Sequence, residues 1–94
     1  MTKMTFEEFE TQSLSSGFNE VVKKVWEPDL TLEAHTHPYD VHVILAEGEL
    51  WLTKHGITHH VTPGQDFTVA AEEVHAERYG SKGATFWVAR KHTL

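Results

Sequence analysis

One stretch of this chain decides its fold, and it reads HTHPYDV from His35 to Val41. It continues an alternating run that begins at Leu30 and is typical of a strand. Side chains at positions i and i+2 of a strand point to the same face, so His35 and His37 project together. Two imidazoles placed in this way can converge on one metal ion, at about 2.1 Å each. The pair alone is weak evidence, because the chain contains eight histidines.

A second stretch supplies the context, and it reads PGQDFTVAAEEVH from Pro63 to His75. Together the two stretches resemble the two sequence motifs of the cupins. The first motif joins a His-x-His pair and an acidic ligand to a later glycine, and Gly48 stands seven residues after Val41. The second joins a Pro-x-Gly turn to a histidine, which is His75 here. The resemblance implies an all-β fold, a cupin-type double-stranded β-helix (jelly-roll) barrel.

The resemblance also implies one divalent metal ion, held by His35, His37 and His75. Imidazole suits zinc, iron, nickel, manganese and copper, so these ligands do not select the metal. Three neutral ligands leave the ion with its full positive charge and with open coordination positions. Such a site can bind water, hydroxide or a small anionic molecule, which is the partner we expect.

The chain departs from the family pattern at the fourth ligand. Where cupins usually have a glutamate, it has Val41, with Asp40 and His42 on either side. If Val41 faces the interior, strand alternation turns His42 outward. Asp40 lies at a loop end and could still turn inward, so the sequence leaves both open as a fourth ligand. In the second motif, Ala70 and Glu72 replace the usual proline and glycine, which alters a turn.

Two further residues are candidates for catalysis. Glu77 and Tyr79 lie two and four residues after His75, so all three share one strand face. Tyr79 could donate a hydrogen bond to a metal-bound ligand, and Glu77 could accept a proton or orient a histidine. The alternative is structural, an ion pair of Glu77 with Arg78 or Arg90 at the barrel mouth.

The N-terminal segment is predicted to be helical over residues 5–15. Thr5 and Glu8 have the spacing of a capping box. Phe6 and Phe9 would share one face of that helix, which then covers the barrel.

The rest of the chain reads as short strands separated by turn signals, a pattern typical of a sandwich or barrel. A chain of 94 residues is enough for one domain, 1–94, with a helix or arm in 1–18 and the barrel in 19–94. The predicted strands are Val21–Trp26, Leu30–His35, Val41–Ala46, Glu49–Thr53, Ile57–Thr62, Phe67–Ala70, Val74–Tyr79 and Ala84–Arg90.

Composition excludes several classes of function. The net charge is −6 and basic residues are not concentrated, which argues against nucleic-acid binding. The absence of cysteine excludes disulfides and thiolate ligands. No apolar run is long enough to span a membrane, and the first residues lack a secretory signal, so we expect a cytoplasmic protein.

The remaining histidines, His55, His59, His60 and His92, are predicted to lie on the surface. Trp26, Trp51 and Trp87 each lie within a strand and are predicted to pack in the core or an interface, or to form the wall of a ligand site. The apolar first strand, Val21–Trp26, is the predicted contact of a two-fold homodimer.

Three functions remain open at this level. The first is a small metal-dependent enzyme, for instance an oxygenase or isomerase. The second is a non-enzymatic module that binds or senses a small molecule. The third is a scaffold in which the metal is structural. Fold alone does not choose among them.

Overall fold

Two long strands organise the barrel. A computed structural model of the chain describes residues 4–92. In that range the elements are α1 (Phe6–Ser15), β1 (Glu20–Trp26), β2 (Thr31–His35), β3 (Tyr39–Lys54), β4 (Ile57–Val61), β5 (Asp66–Val69) and β6 (His75–His92).

Each long strand contributes to both halves of the sheet, and all pairings are antiparallel. The second part of β6 pairs with β1 and with the first part of β3, which also pairs with β5. The first part of β6 pairs with β2 and with the second part of β3, which also pairs with β4. Buried side chains of both halves form one core, so the halves pack face to face. The all-β barrel predicted from the sequence is therefore present.

The sequence predicted about eight strands, and the described residues form six. The predicted turn at Glu47–Gly48 lies inside β3, and the predicted gap between Tyr79 and Ala84 lies inside β6. The β3–β6 pairing shifts register on both sides of Gly48 instead of ending. Glycine here marks a bend in a paired strand, because bulges bend a strand without separating it from its neighbour.

Gly48 is required at that bend for two reasons. Its φ of 89° lies in the left-handed region that glycine adopts readily. A Cβ atom at Gly48 would also clash with the carbonyl oxygen of Gly83 in the neighbouring strand. The two long strands therefore cross from one half of the barrel to the other at a point where only a glycine fits.

Helix α1 forms as predicted. The Thr5 hydroxyl accepts a hydrogen bond from the Glu8 backbone, and the Glu8 side chain accepts one from the Thr5 backbone. Phe9 is buried, and its ring lies 6.0 Å from that of Trp87 on β6. The helix thus covers the outer face of the sheet, which leaves the inner face to form the core and the site.

Among the strands of residues 4–92, β1 pairs with β6 alone. Its outward-facing Val25 is 76% exposed. The homodimer expected through this strand stays a prediction. Among residues 4–92, no helix has the length and apolar character needed to cross a membrane.

Candidate metal centre

Three histidines, one from β2, one from the segment that follows it and one from β6, come together in the barrel. His35 ends β2 and pairs directly with His75, which begins β6. His37 follows β2 by two residues. The ring centroid of His75 lies 4.3 Å from that of His35 and 4.6 Å from that of His37. The i, i+2 spacing therefore brings His37 close to His35, and antiparallel pairing brings His75 close to His35. These are the three residues that sequence analysis placed in one site.

The geometry of these rings fits a single ion. One ring nitrogen from each histidine lies within 4.8 Å of the other two. Two ligands of one ion, each at about 2.1 Å, are at most about 4.2 Å apart, so small side-chain movements close the site. The group includes half-buried and buried members: His75 is 2% exposed, whereas the side chain of His35 is 32% exposed.

Backbone carbonyls fix two of the rings. Nδ1 of His35 donates to the carbonyl oxygen of Glu33 at 2.6 Å, and Nδ1 of His75 donates to that of Glu73 at 3.0 Å. A carbonyl oxygen only accepts, so Nδ1 carries a proton, and Nε2 is the nitrogen of each ring that can bind a metal ion. This is the outer-shell arrangement that orients metal-binding histidines.

His37 is held differently. Its ring stacks on Tyr39, with centroids 5.0 Å apart and planes at 2°. Its Nδ1 is buried and has no hydrogen-bond partner among residues 4–92. Burial first, and then the charges of the neighbouring His75, His35 and Arg90, together lower the pKa of His37 to about 4. The ring is therefore neutral near pH 7, as a metal ligand must be.

Glu77 lies beside this group. Its Oε2 is 3.8 Å from Nε2 of His35 and 3.8 Å from Nε2 of His75. The Tyr79 hydroxyl donates to its other oxygen, Oε1, at 2.7 Å. Burial raises the pKa of Tyr79 well above its usual range, and the charge of Glu77 adds to the effect. Tyr79 thus keeps its proton and holds the Glu77 carboxylate against the two imidazoles.

The structural alternative for Glu77 is not realised. Arg78 lies over the ring of Trp51 at 4.1 Å, and Arg90 pairs with Glu20 at 3.1 Å. Neither guanidinium forms an ion pair with Glu77 in the described part of the chain. Glu77 therefore provides a carboxylate beside the three histidines, from β6 and not from the position in the first motif where Val41 replaces the usual glutamate.

The two residues left open as a fourth ligand lie elsewhere. Asp40 accepts a hydrogen bond from the backbone nitrogen of Ala71 at 2.7 Å. Nε2 of His42 lies 2.7 Å from the Asp66 carboxylate, and its ring packs against Phe9 of α1. His42 thus lies on the outer face, as alternation predicted, while Val41 is buried and lines the cavity in front of the histidines.

A tight turn sets the start of β6 and thus the position of His75. The Glu73 carboxylate accepts a hydrogen bond from the Ala70 backbone and contacts His55 and Lys54. These contacts, the first above all, lower the pKa of Glu73 to about 2. The Glu73 side chain thus joins the start of this turn, at Ala70, to Lys54 and His55, and it stays ionised near neutral pH.

Glu72 occupies the position where the motif usually has glycine. Its φ is 64°, in the left-handed region, and its backbone nitrogen donates to the carbonyl oxygen of His37 at 2.8 Å. The backbone keeps the glycine conformation although the side chain has changed. The motif departure therefore adds strain at a position that links the two histidine segments.

Replacing Glu72 by glycine should raise the free energy of unfolding by about 1 kcal/mol, because a non-glycine residue in this region costs about 1–3 kcal/mol and the added backbone entropy offsets part of the gain. Urea unfolding measures it. Ala71→Gly is the matched control, because Ala71 has no positive φ. It should lower stability by about 0.5–1 kcal/mol. Equal shifts in the two variants would contradict the argument.

The other four histidines lie outside the metal-ligand group. His55 contacts Glu73, His60 contacts Glu49 and stacks on Trp51, and His92 contacts Glu20. His59 is exposed on β4. Three of these four histidines thus contact carboxylates at the protein surface.

The histidines open onto a cavity of about 200 Å³. Apolar side chains form most of its wall, and Trp26 is the tryptophan that contributes to it. The polar lining includes two cations, Lys24 and Arg90. Sequence analysis named Arg90 only as a possible partner of Glu77, and it did not single out Lys24. The usable signal was alternation, since Lys24 shares the inner face of β1 with Val22 and Trp26.

No protein-family model matches the sequence, and no curated protein is significantly similar to it. Solved structures do match in fold. An RmlC-like cupin from Shewanella frigidimarina is 19% identical, with a TM-score of 0.68 over 80% of this chain and 68% of that chain. A protein of unknown function from Rhizobium leguminosarum is 20% identical, with a TM-score of 0.68 over 99% of this chain and 98% of that chain.

A structure of DMSP lyases also matches, at 19% identity and a TM-score of 0.70, over 78% of this chain and 38% of that chain. At these identities the likeness concerns the fold. The chain has the cupin fold, the double-stranded β-helix that its two motifs predicted, with a three-histidine group that could hold a metal ion.

Proposed function

We propose that this chain is a mononuclear metal-binding cupin that binds a small anionic molecule at its ion. The observation that carries the proposal is the convergence of His35, His37 and His75, with two of the rings oriented by Nδ1 hydrogen bonds to backbone carbonyls. A bound divalent ion would supply Lewis acidity and attraction for an anion at its open positions. The adjoining cavity supports a ligand of small size.

Metal analysis of protein purified without added metal tests this proposal. We expect about one equivalent of a transition metal per chain, and acetate or phosphate should perturb the spectrum of a cobalt-substituted form. Absence of metal binding after incubation with zinc, iron, nickel, manganese or copper would contradict it.

An enzyme is the second candidate, and Glu77 is the residue that favours it. Its Oε2 faces the imidazoles, where it could accept a proton from a bound molecule, while Tyr79 holds the opposite oxygen. Tyr79 is then a positioning residue. The DMSP lyases that share the fold support chemistry as one use of such a barrel. Oxygen consumption by the iron-loaded protein with acetate, pyruvate and glutarate tests this candidate, since Glu77→Gln should abolish turnover but keep the metal.

We also propose a cytoplasmic homodimer that forms through β1. The open edge of that strand and the exposed Val25 support this assembly. A monomer mass by light scattering at micromolar concentration would refute it.

A further inference from the structure

Lys24 lies on the inner face of the barrel, where charged residues are rare. On β1 it alternates with Val22 and Trp26, both of which pack against the core, and it pairs with the buried Phe86 of β6. It is half-buried and lines the same cavity as the three histidines. Its Nζ lies 6.0 Å from the centre of the Trp26 ring.

This cation has no anionic partner within the described part of the chain. The other cavity cation, Arg90, pairs with Glu20 at 3.1 Å, and Glu77 faces His35 and His75. Lys24 forms no ion pair with any carboxylate of residues 4–92. A half-buried ammonium group that faces a cavity and has no counter-charge is suited to bind an anion that enters the cavity.

The cavity has two attachment points for an anion and an apolar wall. One is the three-histidine group and the other is Lys24, and Val43, Phe86 and Val88 are among the apolar side chains that line the same cavity. A volume of about 200 Å³ is far above the roughly 10–15 Å³ that a single water molecule requires, so the cavity has room for a small organic molecule. The space fits a short carbon chain with an anionic group at each end.

We propose that Lys24 binds one carboxylate of a small dicarboxylate whose other carboxylate reaches the metal. This inference rests on the proposed function, because the second anchor is the ion held by His35, His37 and His75. The ligand class is a dicarboxylate of about five carbons, with its methylene groups against the apolar wall.

Calorimetric titration with glutarate and pentanoate tests the proposal on the metal-loaded protein. Glutarate should bind at least tenfold more tightly than pentanoate, because it alone can use both anchors. Lys24→Met should weaken glutarate binding about tenfold or more, since it removes a hydrogen bond between charged groups. Lys24→Arg should keep most of the affinity.

Lys23→Met is the matched control. It removes the same charge from the next residue, which is exposed on the outer face with its Nζ 4.8 Å from the ring of Phe6. Its glutarate affinity should stay within twofold of the parent protein. Equal losses in the two methionine variants, or no binding of glutarate to the parent protein, would overturn the proposal.

Metal content separates this inference from the proposed function. Lys24→Met should retain one equivalent of metal. If the metal is retained and glutarate affinity is unchanged, the Lys24 subsite is wrong and the metal site stands. If the parent protein binds no metal but Lys24→Met still weakens glutarate, the proposed function fails and the anion subsite stands.

Discussion

Replacing His75 by alanine should abolish stoichiometric metal binding. His75 is the central member of the group, with its ring 4.3 Å from His35 and 4.6 Å from His37, and it is almost fully buried. Loss of a ligand should exceed the 10–100-fold fall in affinity that is typical of changes to outer-shell partners. Competition against a chelator, followed by metal analysis, measures the loss.

Two further variants serve as controls for this experiment. His59→Ala removes a histidine that is exposed on β4 and should retain one equivalent of metal. His75→Gln keeps most of the side-chain volume, which reduces the cavity that alanine would leave in a buried site. Circular dichroism establishes that each variant is folded. Full metal content in folded His75→Gln and His75→Ala would show that the three histidines do not form the site.

The histidine group was predictable from strand geometry for His35 and His37, and from the resemblance to the second cupin motif for His75. His35 and His37 share a face through the two-residue period, and the second motif ends on His75. The register of β2 against β6 then brings the two segments together, because His35 pairs with His75. Predicting this group required no estimate of interaction energies. It required only that the two motifs lie on neighbouring antiparallel strands.

Other features depended on packing that the sequence does not display. Glycine is typical both of a turn between strands and of a bend within one strand. Gly48 was therefore interpreted as a strand end, although β3 continues through it. In the sequence, Arg78 and Arg90 were both possible ion-pair partners of Glu77. Packing excludes both pairs, because Arg78 contacts Trp51 and Arg90 contacts Glu20. The inward direction of Lys24 was readable from alternation, but its lack of a counter-charge appears only when the strands are assembled.

Replacing Val41 by glutamate should have opposite effects on the metal-free and metal-loaded protein. Val41 is 6% exposed and lines the cavity in front of the histidines. Without metal, a carboxylate there would be buried near Glu77, so we expect a loss of about 2–3 kcal/mol and a fall in melting temperature of about 10 °C or more. Val41→Gln should lose less, because it adds no charge.

With metal bound, the same carboxylate should become a ligand. Attraction between unit charges about 4 Å apart is about 4 kcal/mol at an effective dielectric constant of 20, before the cost of desolvation is subtracted. Metal should therefore dissociate more slowly from Val41→Glu, and its addition should recover the lost melting temperature. Together with Glu77, the new carboxylate would balance the double charge of the ion, so acetate and phosphate should bind more weakly.

Metal dissociation into excess chelator and acetate affinity, each measured in parent and variant, test the prediction for Val41→Glu. The result also tests strand register, because the prediction requires residue 41 to face inward and residue 42 outward. His42 lies under α1 with its Nε2 2.7 Å from Asp66, so His42→Ala should retain the metal. If Val41→Glu changes neither quantity while His42→Ala releases the metal, then His42 is a ligand. The three-histidine site must then be abandoned, because alternation allows only one of these two neighbours to reach the ion.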